Sequence, residues 1–115
     1  MAREGFMSSL VYMTAKSRAE ALELARILAG RKLCAGINIV PGATSVYWWD
    51  GEIRENEECL LLAQVSDQAL PAFMEAAKLL HSYQVPCIVA LPVAGGNLPF
   101  LEWIENNSRG EAPCG

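Results

Sequence analysis

The chain has 115 residues, of which 52% are hydrophobic and 19% are charged, so it is one ordered domain's worth of sequence. Its formal net charge of −4 argues against a nucleic-acid binder, which needs a basic face, and against direct binding to anionic membranes. The hydrophobic content exceeds what a small monomer buries easily, so we expect an oligomer.

The chain starts with signals for a strand and a helix. Residues 10–14 are rich in β-forming side chains and predict a buried strand. Ser17 and Glu20 stand at capping-box spacing, and apolar residues then repeat at helical intervals. Gly30 suits the position just after a helix. These signals predict a helix over residues 17–30.

A long hairpin is predicted next. Strand character over residues 34–40 and 45–49 is interrupted at 41–42, where Pro-Gly predicts a bulge or bend. Asp-Gly at 50–51 is a strong signal for a type I′ turn. The return strand covers residues 52–65, with an acidic middle that is too polar for a core. We therefore expect long arms whose tips project beyond the domain.

The second half predicts a helix, a strand and a short helix. Asp67 is the predicted N-cap of the helix, and Pro71 falls in its first turn. Residues 87–93 predict the last strand of the core, with Pro92 indicating an edge position. Residues 97–105 predict a C-terminal helix. The apolar stripe of the longer helix consists of Leu70, Phe73, Met74, Ala77 and Leu80.

This order of elements is that of an α+β fold, the ferredoxin-like split βαβ sandwich with an antiparallel sheet. Two helices would cover one sheet face, and a partner subunit is expected to cover the other, which is also apolar. We expect a single domain over residues 1–115, with a core over about 8–106 and flexible tails at 1–7 and 107–115. No apolar run reaches the length of a transmembrane helix, and no signal peptide is expected.

The four cysteines are widely spread, at Cys34, Cys59, Cys87 and Cys114. The absence of a Cys-x-x-Cys pair argues against a structural zinc site and a thioredoxin-like motif. Three of the four lie in apolar stretches, as buried free thiols do, which predicts a reducing, cytoplasmic location. The common sequence motifs for phosphate binding and serine catalysis are absent.

The one histidine, His81, is predicted at the C-terminal end of the second long helix. Its ordinary role there is to cap the helix. Cys87 follows six residues later, and Met13 lies on the first strand. An imidazole, a thiolate and a thioether form a soft ligand set that suits Cu(I) better than Mg²⁺ or Ca²⁺. For the two sulfur side chains the alternative is core filling.

The hairpin carries adjacent tryptophans. Trp48 and Trp49 must point to opposite sides of their strand, and Tyr47 shares a side with Trp49. We expect these aromatic residues at a subunit interface, with ligand stacking or core filling as alternatives. The acidic cluster on the return arm predicts a solvated strand edge or, alternatively, a weak cation site. It consists of Glu52, Glu55, Glu57 and Glu58.

Several motifs together carry a family resemblance. They are KLCAGINIVPGATS at 32–45, YWWDG at 47–51, ECLLL at 58–62, His81-x-Tyr83-x-x-Pro86, ALPV at 90–93 and LEW at 101–103. With these motifs the chain resembles the CutA divalent-ion tolerance family over about residues 8–106. The resemblance implies a ferredoxin-like fold related to the PII-like proteins and a tight homotrimer whose hairpin strands pair across subunits. It also implies a role in tolerance of copper and other divalent ions, without an accepted enzyme activity.

The chain departs from the family where a metal is expected to bind. The family usually has His-Pro-Tyr-x-x-Pro-Glu, and here Ser82 replaces the proline and Cys87 replaces the glutamate. His81 alone transfers as a proposed ligand, while Cys87 and Met13 are added from their chemistry. The loss of the carboxylate favours soft metals.

The sequence therefore predicts a trimeric, non-enzymatic protein that weakly binds copper or another divalent cation. The predicted metal ligands are His81, Cys87 and Met13. The predicted interface or cleft residues are Tyr47, Trp48, Trp49 and Tyr83. One alternative is a PII-like sensor or scaffold that binds a small molecule or protein partner at subunit clefts. An enzyme that uses His81 as general base is disfavoured, because no second catalytic group lies within reach of a motif.

Overall fold

The computed structural model describes residues 7–110. Every predicted element is present and in the predicted order, which confirms the α+β fold class. The predicted tail segments 1–6 and 111–115 lie outside the described residues. The elements are β1 (Ser8–Ala15), α1 (Arg18–Gly30), β2 (Gly36–Trp49), β3 (Glu52–Ser66), α2 (Leu70–Leu80), β4 (Ile88–Pro92) and α3 (Leu98–Asn107).

The sheet has the strand order β2-β3-β1-β4, and all three neighbouring pairs are antiparallel. This is the predicted ferredoxin-like arrangement. The position of β4 at the edge explains how Pro92 is accommodated, because an edge strand has one side without ladder partners.

The core lies between one face of the sheet and the helices α1 and α2. The side chains of β1 and β3 alternate, so every second residue points to the helices. Met13 and Leu61 on the strands pack with Leu28 and Phe73 on the helices, and all four are 0% exposed. Burial of such side chains contributes about 1.5–3 kcal/mol each.

The opposite face of the sheet, which we call the outer face, is also apolar. Leu10 and Tyr12 on β1 and Leu60 and Leu62 on β3 are half-buried there. On β4, Val89 and Leu91 are 49% and 52% exposed. The predicted second apolar face is thus present.

The N-terminal cap of α1 is the predicted one, whereas the residue with positive φ after the helix is not the glycine that the sequence offers. The Ser17 hydroxyl accepts from the Glu20 amide at 3.1 Å, as a capping box requires, whereas Glu20 accepts from the amide of Lys16. Gly30 is the last helical residue, which agrees with the predicted helix 17–30, although its residue type suits the position just after a helix. Lys32, with φ of 58°, takes the left-handed conformation instead.

Boundary predictions near α2 and β4 need small corrections. The N-cap is Ala69, not Asp67, because the Ser66 hydroxyl accepts from the Ala69 amide at 3.1 Å. Leu80 is 38% exposed, so the apolar stripe ends one turn earlier than predicted. Cys87 lies just before β4, not in it.

The hairpin β2–β3 is the largest feature outside the core. Its ladder is interrupted between Val40 and Ala43, at the bulge predicted from Pro-Gly. Gly42 has φ of 82° there, and the Asp50-Gly51 turn has φ of 51° and 74°, as a type I′ turn requires. Residues 52–57 are exposed, so the arms project as expected.

The segment after α3 is fixed by a serine pair. The Ser108 hydroxyl accepts from the Ser66 amide at 2.9 Å and donates to the Leu33 carbonyl at 3.1 Å. The Ser66 hydroxyl donates to the Ser108 carbonyl, and the Gly110 amide donates to the Lys32 carbonyl. Ser108 and Gly110, which fall in the predicted tail 107–115, are thus hydrogen-bonded to the domain.

Gly42→Ala is expected to destabilise the protein by about 1–2 kcal/mol, because a Cβ is strained at positive φ even though the space around it is open. Gly30→Ala is the matched control. It lies in helix α1 with open space around its Cβ position, and we expect a gain of up to about 1 kcal/mol. Urea unfolding at one fixed protein concentration measures both, and equal effects would contradict the assignment of the bulge.

Candidate functional site

A cleft of about 850 Å³ opens on the outer face where the hairpin leaves the sheet. We call it the hairpin cleft. Its lining comes from β2, from β3, from the end of β1 and from the segment 82–87 between α2 and β4. The volume is typical of ligand sites in proteins, and the cleft contains several of the predicted functional residues.

The segment 82–87 forms one wall of the cleft and is fastened from three sides. Glu20 on α1 accepts from the Ser82 amide at 3.1 Å. The Nδ1 atom of His81 accepts from the Tyr83 amide at 3.0 Å. The Tyr83 hydroxyl donates to the Glu58 carboxylate on β3 at 2.8 Å. Three separate elements therefore set the position of this wall.

His81 occupies the C-cap of α2 and is 8% exposed. Its Nε2 atom lies 2.7 Å from the Thr14 carbonyl oxygen. Because Nδ1 accepts a hydrogen bond, Nε2 carries the proton and donates to Thr14, so these contacts fix a neutral imidazole. The predicted helix-end position is confirmed. A metal can reach either nitrogen only by displacing one of these hydrogen bonds.

The other two predicted metal ligands lie on different sides of the sheet. Met13 is fully buried and faces the helices. Cys87 is an exposed free thiol and lines the cleft beside Thr14. Burial and the nearby Glu58 carboxylate raise the pKa of the Cys87 thiol, and a hydrogen bond with Thr14 offsets part of that.

The structure thus brings Cys87 close to Glu58 and does not bring it to Met13. Within residues 7–110, no group of three or more His, Cys, Asp or Glu side chains is arranged to hold a metal ion. The soft ligand set with His81 stays a prediction. The sequence predicts Glu58 as part of a solvated acidic edge, with a weak cation site as the alternative, and does not predict its pairing with Tyr83.

Two other cysteines behave as the sequence predicts. Cys34 and Cys59 are buried free thiols, and burial raises the pKa of Cys34 to about 12. Both are therefore protonated and unreactive at neutral pH. Cys114 lies outside the described residues.

The aromatic residues of the hairpin divide as predicted. Tyr47 and Trp49 line the cleft, while Trp48 is 70% exposed on the other side of the strand. The Asn56 amide donates to the Tyr47 hydroxyl, which holds that ring in place. Tyr83 also lines the cleft, with its ring 4.7 Å from that of His81. Core filling is excluded for Trp48 by its exposure.

Two of the groups that hold the cleft wall in place, Tyr83 and Glu20, also have shifted pKa values. Burial raises the pKa of Tyr83, and the Glu58 carboxylate, which accepts its proton, raises it further. For Glu20, burial acts to raise the pKa, but hydrogen bonds from Ser82 and Lys16 lower it overall. The wall is therefore held by a neutral phenol and an ionised carboxylate.

Comparison with known proteins identifies the family. The model of the CutA1 divalent ion tolerance protein family matches residues 9–107. The chain belongs to this family. Its function is accordingly that of a CutA divalent-cation tolerance protein, and the family match favours this function over a PII-like sensor.

Individual CutA proteins are similar along most of the chain. The divalent-cation tolerance protein CutA of Thermus thermophilus is 44% identical over 89% of this chain and 99% of its own length. The chloroplastic CutA 1 protein of Oryza sativa is 42% identical over 89% of this chain, which spans 58% of the rice protein.

Solved CutA structures share the fold. The Thermus thermophilus structure matches with a TM-score of 0.85 over 88% of this chain and 98% of that one, and the rice structure with 0.87 over 90% and 95%. A CutA of Archaeoglobus fulgidus, 34% identical, with a TM-score of 0.84 over 88% of this chain and 98% of its own, is described as periplasmic. Among residues 7–110 of this chain, no helix is long and apolar enough to cross a membrane.

Glu58→Gln is expected to lower the pKa of Tyr83 towards the ordinary tyrosine value of about 10, because it removes the negative charge that opposes phenol ionisation. In the unchanged protein, the stabilisation from neutral Tyr83 is complete below about pH 10 and is lost as the pH rises towards the raised pKa. Tyrosinate absorbance, compared with and without Tyr83→Phe, measures the shift. Glu55→Gln is the control, and an equal shift there would refute the pairing.

Proposed function

We propose that this CutA protein is a cytoplasmic homotrimer that weakly binds copper or another divalent cation and has no enzymatic activity. The observation that carries the proposal is the continuity between the unpartnered apolar outer face and the hairpin cleft. Ion-binding side chains and the expected subunit contact then lie at the same place on the molecule.

The outer face favours an oligomer. Val89 and Leu91 are about half exposed beside the half-buried Leu10, Tyr12, Leu60 and Leu62. A contiguous apolar patch on a chain this small favours contact with another protein. Because the two hairpin arms project beyond the domain, they can reach a neighbouring copy, and closed rings are the usual solution for homo-oligomers.

The side chains of the hairpin cleft favour a cation. Cys87 offers a sulfur ligand, and Glu58 offers carboxylate oxygen, in a setting accessible to solvent. Two donors from one chain bind a metal weakly unless water or a second subunit adds ligands. His81 adds a nitrogen ligand once a hydrogen bond is displaced. Met13 stays a predicted ligand that its burial does not favour.

The proposal of no enzymatic activity is supported by His81. Both ring nitrogens are engaged with backbone groups, so the imidazole has no lone pair directed into the cleft. General-base catalysis requires a base within hydrogen-bond reach of a substrate proton. The geometry thus disfavours the enzyme alternative.

Leu91→Glu is expected to shift the mass of the particle from three chains towards one, because it places a charge within the proposed apolar contact. Leu79→Glu is the control, since Leu79 is 77% exposed on α2, away from the outer face. Sedimentation equilibrium distinguishes the outcomes. A wild-type protein that sediments as a monomer would refute the trimer.

Cys87→Ser is expected to weaken copper binding by at least about tenfold, since a hydroxyl is a poor ligand for soft metals. His81→Ala and Met13→Leu test the other two predicted ligands separately. Titration with Cu(I) and Cu(II), with circular dichroism to verify folding, measures each change. We expect Met13→Leu to bind as the wild type does, because Met13 faces the core. Unchanged affinity in the first two variants would exclude those ligands.

A further inference from the structure

Glu20 joins two parts of the chain that lie far apart in sequence. It lies in the first turn of α1, half-buried and outside the lining of the hairpin cleft. Its Oε1 atom accepts from the Lys16 amide at 3.2 Å, and its Oε2 atom accepts from the Ser82 amide at 3.1 Å. One carboxylate therefore links the start of α1 to the first residue of the cleft wall.

This double contact requires a carboxylate. Each backbone amide is a donor, so the side chain between them must present two acceptors, and an ionised carboxylate has an acceptor on each oxygen. Burial acts to raise the pKa of Glu20, but hydrogen bonds from Ser82 and Lys16 lower it overall, so neither oxygen carries a proton at neutral pH. In Glu20→Gln the side chain has one acceptor oxygen and an NH2 donor, so one of the two amides faces a donor.

The cleft wall that Glu20 holds has no regular secondary structure. It ends at Cys87, which lines the cleft and is a sulfur ligand of the proposed cation site. His81 and Glu58 fasten the wall through Tyr83, from α2 and from β3. Glu20 adds the link to α1, at the residue where the wall begins.

We propose that Glu20 is a positioning residue for the cation site of the hairpin cleft. It acts through the Ser82 amide, which fixes the start of the wall that carries Cys87, and it does not bind the ion itself. This role needs no open cleft, because Glu20 contacts the backbone of the wall from α1 and a second copy of the chain can cover the cleft. The expected effect on copper binding rests on the proposed cation function, whereas the effect on the wall rests on the two hydrogen bonds.

Hydrogen exchange measured by NMR tests the contact without metal. In Glu20→Gln, the Lys16 or the Ser82 amide is expected to exchange about tenfold faster than in the unchanged protein, because one of them loses its acceptor. Glu23→Gln is the control, since Glu23 is an exposed carboxylate on the same helix. Unchanged exchange of both amides in Glu20→Gln, or an equal acceleration in Glu23→Gln, would overturn the proposal.

Copper titration with a second substitution tests whether Glu20 acts through the Ser82 amide. Glu20→Gln is expected to weaken copper binding by about tenfold, as for other residues that orient a metal ligand. Ser82→Pro removes the amide donor, and the preceding His81 is extended with ψ of 145°, which suits a residue before proline. In that background Glu20→Gln is expected to weaken binding no further, because its one oxygen serves Lys16. With Ser82→Ala, which keeps the amide, the tenfold loss is expected to remain.

The contact of Glu20 with the wall and the cation site can fail separately. A loss of affinity that is equal with Ser82→Pro and with Ser82→Ala would refute a role through the amide. If the unchanged protein binds no copper, the cation proposal fails, and amide exchange alone decides whether Glu20 holds the wall. Circular dichroism verifies that each variant is folded, and the exchange experiment does not depend on Ser82→Pro.

Discussion

The position of the cleft wall depends on the hydrogen bonds of the neutral His81 imidazole. It lies at the end of α2, donates to the Thr14 carbonyl on β1 and accepts from the Tyr83 amide. One buried ring therefore joins a helix end, the central region of the sheet and the cleft wall. A buried polar group that satisfies two backbone groups at once is costly to remove, because both lose their partner. These hydrogen bonds explain why segment 82–87 has a defined position beside the cleft although it has no regular secondary structure.

Strand β1 shows how a single strand serves both stability and function. Its even and odd residues face opposite sides, so Met13 supports the core while Thr14 lines the cleft. The substitution of a cysteine at position 87 follows the same logic. Its side chain enters the cleft and not the core, so its chemistry changes the cleft without disturbing the packing of α1 and α2.

Local signals in the sequence were sufficient to predict the elements of the fold. The capping residue Ser17, the Asp50-Gly51 turn and the Pro-Gly bulge each act through a few neighbouring residues, and their structures agree with the prediction. The side of the sheet to which Met13 points was harder to predict. Both sides of β1 are apolar, and alternation alone does not say which side packs against the helices. The roles of Glu20 and Glu58 depend on partners 62 and 25 residues away, and no pattern within a single chain reports such pairings. The N-cap of α2 was misassigned for a related reason, since Ser66 is itself held by the distant Ser108.

The serine pair also determines where additional chain can leave the domain. Ser108 is fixed beside Ser66, which pairs with Ser8 at the start of β1, and the Met7 amide donates to Glu105 on α3. Both ends of the described chain therefore lie at the start of β1, while the cleft lies by its end, at Thr14. The rice relative is much longer than the part that matches. In this architecture, extra sequence or a fused reporter leaves the domain on the side opposite the hairpin cleft. We therefore expect the domain to tolerate extension at either end.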